Sequence, residues 1–199
     1  MPPARRRSIA TTTELQRTLR LLGWPIRVDG VLGAQTAEAV RDFQRGYAFS
    51  TLVASGDPGL RTREALRTAI RRAGRCSPHF TFRDFRSPGS GWIKLDRALA
   101  RALEAYRAEL AAPVAVLSGH RDARWNRAHG GIRGSQHLHG TAADVEPVMT
   151  VEAVHALRVF SGIGVERASG LVRHLDVRHC GPNPGRASVA RPVVFELAA

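Results

Sequence analysis

The stretch Leu171–Val177, "LVRHLDV", decides how the second half of the chain is read. In a strand its side chains alternate, so Val172, His174 and Asp176 share one face while Leu171, Arg173 and Leu175 take the other. An imidazole and a carboxylate therefore point together, opposite an apolar face that must be core. Alternation of this kind predicts a half-buried strand.

The segments before it fit the same picture. "PVAVLSGHR" (113–121) reads as a strand running into a loop, and "HGTAADVEP" (139–147) as another strand on which Ala142, Asp144 and Glu146 share a face. "KLDRALARALEAYRAEL" (94–110) places Leu95, Leu99, Leu103, Tyr106 and Leu110 along one side of a core-facing helix. "VEAVHALRVF" (151–160) reads as a shorter helix, and "LVRHLDV" as the last strand. Helices and strands joined by short connections predict an α+β domain on an antiparallel sheet.

The first half has a different grammar. "TTTELQRTLRLLGW" begins with threonines suited to cap a helix, and Leu15, Leu19 and Leu22 recur at helical spacing. "VDGVLGAQTAEAVRDFQRGYAF" gives a Gly-rich turn, a Thr to cap a second helix, and an apolar stripe of Ala37, Val40 and Phe43. "GDPGLRTREALRTAIRRAG" repeats the plan with Thr62, Leu66 and Ile70, ending at Gly74. The expected organisation is a basic tail over 1–10, a three-helix module over 11–75 and an α+β domain over 76–199.

The chain has 199 residues, 43% hydrophobic, with a formal net charge of +13 carried almost wholly by arginine; Lys94 is the single lysine. Such a charge favours polyanionic partners. Nucleic acid is not expected among them, because basic residues interleaved with aromatics and a recognised motif are missing. No run is long enough to span a membrane, and "MPPARRRSIATTTELQ" lacks the apolar region of a secretory leader. Cys76 and Cys180 are the only cysteines, and a disulfide or two separate thiols are equally compatible with their spacing.

If the strands carrying Asp144 and His174 are neighbours, the two side chains converge, and His137 enters from the loop before Asp144. Two histidines and an aspartate are a ligand set that catalytic zinc uses, with a fourth position open. The small residues between His137 and Asp144 would let the backbone close around an ion. Against this, the chain has eight histidines and a strand histidine is commonly structural, so spacing alone leaves both readings open.

Two resemblances bear on the choice. "LQRTLRLLGW…VDGVLGAQTAEAVRDFQ" resembles the helical peptidoglycan-binding module of wall hydrolases, through Leu15, Gln16, Asp29-Gly30, Gly33, Thr36 and Phe43-Gln44. It departs at "SGDPGLRTREAL", where the family repeats an Asp-Gly-x-x-Gly turn. "LSGHRDARWNRAHGGIRGSQHLHGTAADV" with "HLDVR" resembles the M15 zinc D-alanyl-D-alanine carboxypeptidases and endopeptidases over about His79 to Arg178. That resemblance implies zinc held by His137, Asp144 and His174, with His139 at the rim and His155 and His179 outside the motif. It implies that Arg121 holds a substrate carboxylate, that Ser135 is a loop hydrogen-bonder or substrate contact, and that Asn126 is structural.

Relatives keep an acid three residues before the last ligand; here Leu171 stands there. Asp176 is the first candidate for general base and equally a carboxylate that orients a ligand imidazole; Glu166 is the second candidate. The resemblance implies a monomeric peptidase acting in the cell wall on the peptide stems of peptidoglycan, with anionic wall polymers as further partners. Without a recognised leader, release by lysis, as for an endolysin, or a leader already removed is expected. The rival expectation is a wall-binding protein that has lost catalysis.

Overall fold

The computed structural model describes residues 9–178 and 191–197. Helix α1 (Thr12–Leu22) starts at a reciprocal cap: the Thr11 hydroxyl accepts from the Glu14 amide, and the Glu14 carboxylate accepts from the Thr11 amide. Its Leu15, Leu19 and Leu22 are buried, as their spacing predicts. Helices α2 (Ala34–Gly46) and α3 (Leu60–Arg71) complete the first unit. Thr36 does not cap α2, which begins after Gly33; the expected stripe moves by turning Ala39, rather than Ala37, inward with Val40 and Phe43.

Thr36 serves a lacing role instead. The Gln16 amide nitrogen donates to Asp29 Oδ1 (2.8 Å), Val31 O (3.0 Å) and Thr36 Oγ1 (3.0 Å), and its oxygen accepts from the amides of Asp29 and Gly30. One helix thus ties the turn that opens the next. Gln44 repeats the device one helix later, donating to Asp57 O (2.8 Å) and Thr62 Oγ1 (2.9 Å) and accepting from Gly56 N (2.8 Å). The second turn differs in sequence from the first but keeps its Gln–Thr bond, so the duplication survives the departure.

The second unit opens with a 3-10 turn at Phe82–Phe85 and continues through α4 (Arg97–Leu110), β1 (Ala115–Ser118), α5 (Ala123–Ala128), β2 (Ala142–Met149), α6 (Val151–Ala156), β3 (Gly162–Val165), β4 (Val172–Asp176) and β5 (Val193–Glu196). The sheet order is β1-β2-β4-β3-β5. All pairs are antiparallel except β3–β5, which is parallel. The strand holding His174 is therefore central rather than last, and β3 and β5 were not read from the sequence. Leu175, Ile163 and Val145 join Leu99, Leu103 and Tyr106 of α4 in the core, which leaves His174 and Asp176 on the other side of the sheet. No helix among the described residues is long and apolar enough to cross a membrane.

The two units share one core. Phe82 packs against Trp24 (ring centroids 5.0 Å) and Phe43 (5.4 Å), and the Trp24 indole donates to Ile93 O at 3.1 Å. Cys76, at the expected boundary, is buried and bonded through its thiol to Phe80 O, so the chain there is packed rather than a free linker. The pairing of Cys76 with Cys180, like His179, concerns residues outside those described.

Replacing Gln44 by leucine strands the buried Gly56 amide, while the Asp57 carbonyl keeps the Thr62 hydroxyl as a donor. At about 1–3 kcal/mol for an unsatisfied buried group, Gln44→Leu is expected to lower unfolding stability by that amount, read from the urea midpoint at unchanged slope.

Candidate metal centre

The register of the sheet assembles the centre. β2 pairs with β4 so that Asp144 faces His174 across the ladder. On the other side, Gly162 and Gly164 of β3 lie opposite Asp176 and His174. His137 arrives from a 3-10 turn at Gln136–His139 that ends at Gly140, whose φ of 70° lies in the left-handed region that suits glycine. The turn is clamped to the end of β1: His137 Nδ1 bonds Gly119 O at 2.6 Å, while the His137 carbonyl accepts from Arg121 N (3.1 Å) and His120 Nδ1 (3.0 Å). Burial pushes the His120 imidazole down to about 4, so it stays neutral as that donor.

Three donor atoms then meet. His137 Nε2 and His174 Nδ1 are 3.1 Å apart, His174 Nδ1 and Asp144 Oδ1 2.9 Å, and His137 Nε2 and Asp144 Oδ1 3.2 Å. These edges approach the roughly 3.3 Å between ligand atoms of a tetrahedron with bonds of about 2.0–2.1 Å. The proton of the His137 imidazole is claimed elsewhere. The Gly119 carbonyl can only accept, so Nδ1 of His137 carries the hydrogen and Nε2 turns its lone pair inward. His174 lies between two carboxylates, Nε2 at 3.4 Å from Asp176 and Nδ1 at 2.9 Å from Asp144, and a hydrogen on Nε2 is the arrangement that frees Nδ1 for an ion. With the hydrogens turned outward, two lone pairs and a carboxylate oxygen converge, and a divalent ion fits that donor set.

Electrostatics follows the same geometry. Burial lowers the affinity of His137 for a proton. Burial also opposes charge on His174, but Asp144 and Asp176 on either side outweigh it and raise its pKa. Burial alone would raise Asp144, yet the two imidazoles beside it hold its carboxyl well below the usual range. Asp176 is fully buried, and the Arg178 guanidinium grips it from Nε (2.9 Å) and Nη2 (2.5 Å), bringing it down to about 2 against the cost of burial. Gly162 makes room for this pair: a Cβ there would lie 2.0 Å from Asp176 Oδ2.

The remaining sequence candidates are placed as follows. Arg121 bonds Ser118 Oγ through Nε (2.8 Å) and Asp144 Oδ2 through Nη2, on the oxygen turned away from the histidines. Ser135 precedes the His137 turn and makes no side-chain cap bond. Glu166 bonds Ser169 (2.7 Å) and pairs with Arg173 (3.6 Å), a side chain on the face of β4 opposite His174; it does not join the donors. Glu146 also bonds Arg173 (2.8 Å) instead of sharing the face of Asp144, because the β2–β4 register shifts beyond Asp144. His139 is half-buried outside the donor triangle, and His155 is exposed on α6. Asn126 is buried and donates to Ile132 O at 3.0 Å, a loop contact.

Sequence reasoning missed Gly119, His120, Arg178 and Gly162 as supports of the site. Arg178 was within reach, since the alternation 172, 174, 176 continues to it. The "GIG" of 162–164 is the other trace: small residues where bulky neighbours must cross.

Gly162→Ala is expected to dislodge Asp176 and weaken divalent-metal binding by about 10–100-fold, the usual cost of losing the partner that orients a ligand. Gly134→Ala, with open space around it, is expected to leave binding unchanged; a chromophoric-chelator titration compares the two.

A peptidoglycan binding domain model matches residues 10–66. A zinc D-Ala-D-Ala carboxypeptidase of Streptomyces albus G is 31% identical over 147 residues, covering 65% of this chain and 56% of that protein. The chain thus spans just over half the length of this curated relative. The peptidase M15 model matches residues 80–180, which include all three donors and the strap of β-strands that holds them. The chain belongs to the peptidase M15 family.

Proposed function

We propose that this protein is a zinc metallopeptidase that hydrolyses amide bonds in the peptide stems of peptidoglycan, as a D-Ala-D-Ala carboxypeptidase or wall endopeptidase. The observation that carries it is the convergence of His137, Asp144 and His174 on one point, with the His137 proton committed outward. Those three residues would hold the ion; bound zinc would polarise the amide carbonyl and lower the pKa of a coordinated water towards neutrality.

The chain's own groups do the rest. Asp176, pinned by Arg178, acts as a positioning carboxylate on His174 Nε2, because its own lone pairs are already engaged. Glu166 faces Arg173 and takes no part in proton transfer in this reading. Arg121 keeps N–H donors on Nη1 beside the triangle, and a planar guanidinium suits a bidentate grip on a terminal carboxylate. Ser135, at the entrance to the His137 turn, is a polar contact for the stem.

Residues 11–75 form the wall-binding part and 76–199 the hydrolytic part of the division we propose. The net charge of +13 draws the protein to anionic wall polymers, where it acts as a monomer in the wall space. A lysis role of endolysin type is consistent with the same chemistry.

Defined stem peptides with and without a free terminal carboxylate supply the test, with products read by mass. Hydrolysis is expected to stop with chelator and return with zinc, and His174→Ala is expected to lower kcat at least 10³-fold. Arg121→Lys, which also loosens Asp144, is expected to raise KM about tenfold more for the peptide ending in a free carboxylate than for the one without. Binding of purified wall without hydrolysis at any zinc load would instead establish the non-catalytic wall-binding reading.

A further inference from the structure

We propose that the helical unit is a brace for the metal centre, acting through residues 92–97 as a strap that positions the turn bearing His137. The inference rests on reading His137 as a ligand. It goes beyond that reading by giving the N-terminal helices a role in the hydrolytic site itself.

One side of the strap is gripped by the helical unit at four points. The Trp92 indole donates to Asp42 Oδ2 of α2 at 2.8 Å, and Asp42 is buried, which pushes its carboxyl up. Ile93 O receives the Trp24 indole. Leu95 seats on Gly46 so closely that a Cβ on Gly46 would lie 3.1 Å from Leu95 Cβ. Arg97 reaches back over the end of α2 to the carbonyls of Gln44 (2.6 Å), Arg45 (3.1 Å), Ser50 (2.8 Å) and Leu52 (2.6 Å).

The other side of the strap bears on the His137 turn. Asp96 N donates to Gly140 O at 2.8 Å, and a Cβ on Gly140 would lie 2.5 Å from the Lys94 carbonyl carbon. Gly140 N in turn bonds the His137 carbonyl. The backbone of residues 94–96 thus lies between α2 and the carbonyl end of the His137 turn. Motion of α2 reaches the turn through packed atoms and hydrogen bonds, with no flexible link between them.

The test uses the full chain and three variants. Trp92→Phe keeps the ring and removes the donor; Asp42→Leu removes the acceptor; Asp42→Asn keeps an acceptor oxygen and is the rescue. In the metal-free protein, hydrogen exchange at the amides of Leu138, Gly140 and Thr141 is expected to quicken about tenfold in Trp92→Phe and Asp42→Leu and to stay at the parent rate in Asp42→Asn. Amides of Ile163 and Leu175 should not change. The zinc dissociation constant should rise about tenfold in the same two variants only. Unchanged exchange at the turn in Trp92→Phe, or equal quickening at Ile163 and Leu175, would overturn the brace. Should Asp42→Leu fail to fold, Trp92→Phe decides alone. Zinc binding by the parent protein is measured alongside: its absence ends the functional reading, and the exchange comparison still decides the brace.

Discussion

Two imidazole nitrogens and a carboxylate oxygen, pressed together at about hydrogen-bond distance, form the constraint on which the structure turns. Such a cluster is unfavourable by itself, because burial strips away the water that would screen it. It persists only where the surroundings dictate each ring's tautomer and hold each group in place. Gly119 does so for His137, Asp176 for His174, and Arg121 for Asp144. Two of these partners are fixed in turn, Asp176 by Arg178 and Arg121 by the Ser118 hydroxyl at the end of β1.

The spread of supports explains which parts of the site were legible in the sequence. The strand bearing His174 and Asp176 could be read because period two is a local property, visible within seven residues. The choice of His137 over His139 came from a motif, and the structure gives its physical counterpart: one ring is buried against a carbonyl, the other sits half-exposed off the triangle. The convergence of Asp144 with His174 depended on two strands being neighbours, and the register bears it out. That same register could not be followed to Glu146, since the shift beyond Asp144 leaves no mark in an alternation pattern. β3 and β5 escaped for a related reason: "GIGV" is too short and too glycine-rich to look like a strand until its neighbours' side chains are seen crossing it.

The helical unit teaches the opposite lesson. Its helices, and its marks Gln16, Asp29, Thr36 and Gln44, were all legible, but what they do was not. Their side chains face inward and lace turns, so a shared set of marks reports the construction of the unit before it reports any ligand. Nor could composition foretell that Trp24, Phe43 and Phe82 would meet in one core. Contacts across 39 to 58 positions of chain carry no local period, and a boundary drawn where the grammar changes separates two styles of sequence, not two bodies.

Arginine ties these levels together. Its abundance carries little information when only counted, yet at the positions that matter its shape is used. Arg97 spreads over four carbonyls at the end of α2, and Arg178 grips both oxygens of Asp176 from two nitrogens. A lysine offers one compact charge on a flexible stem and could satisfy only part of either arrangement. Carbonyls do not neutralise a guanidinium, so Arg97 works inside the fold while still adding to the positive field outside it. The charge that makes the chain basic and the bonds that hold residues 92–97 against α2 therefore come, in part, from the same side chains.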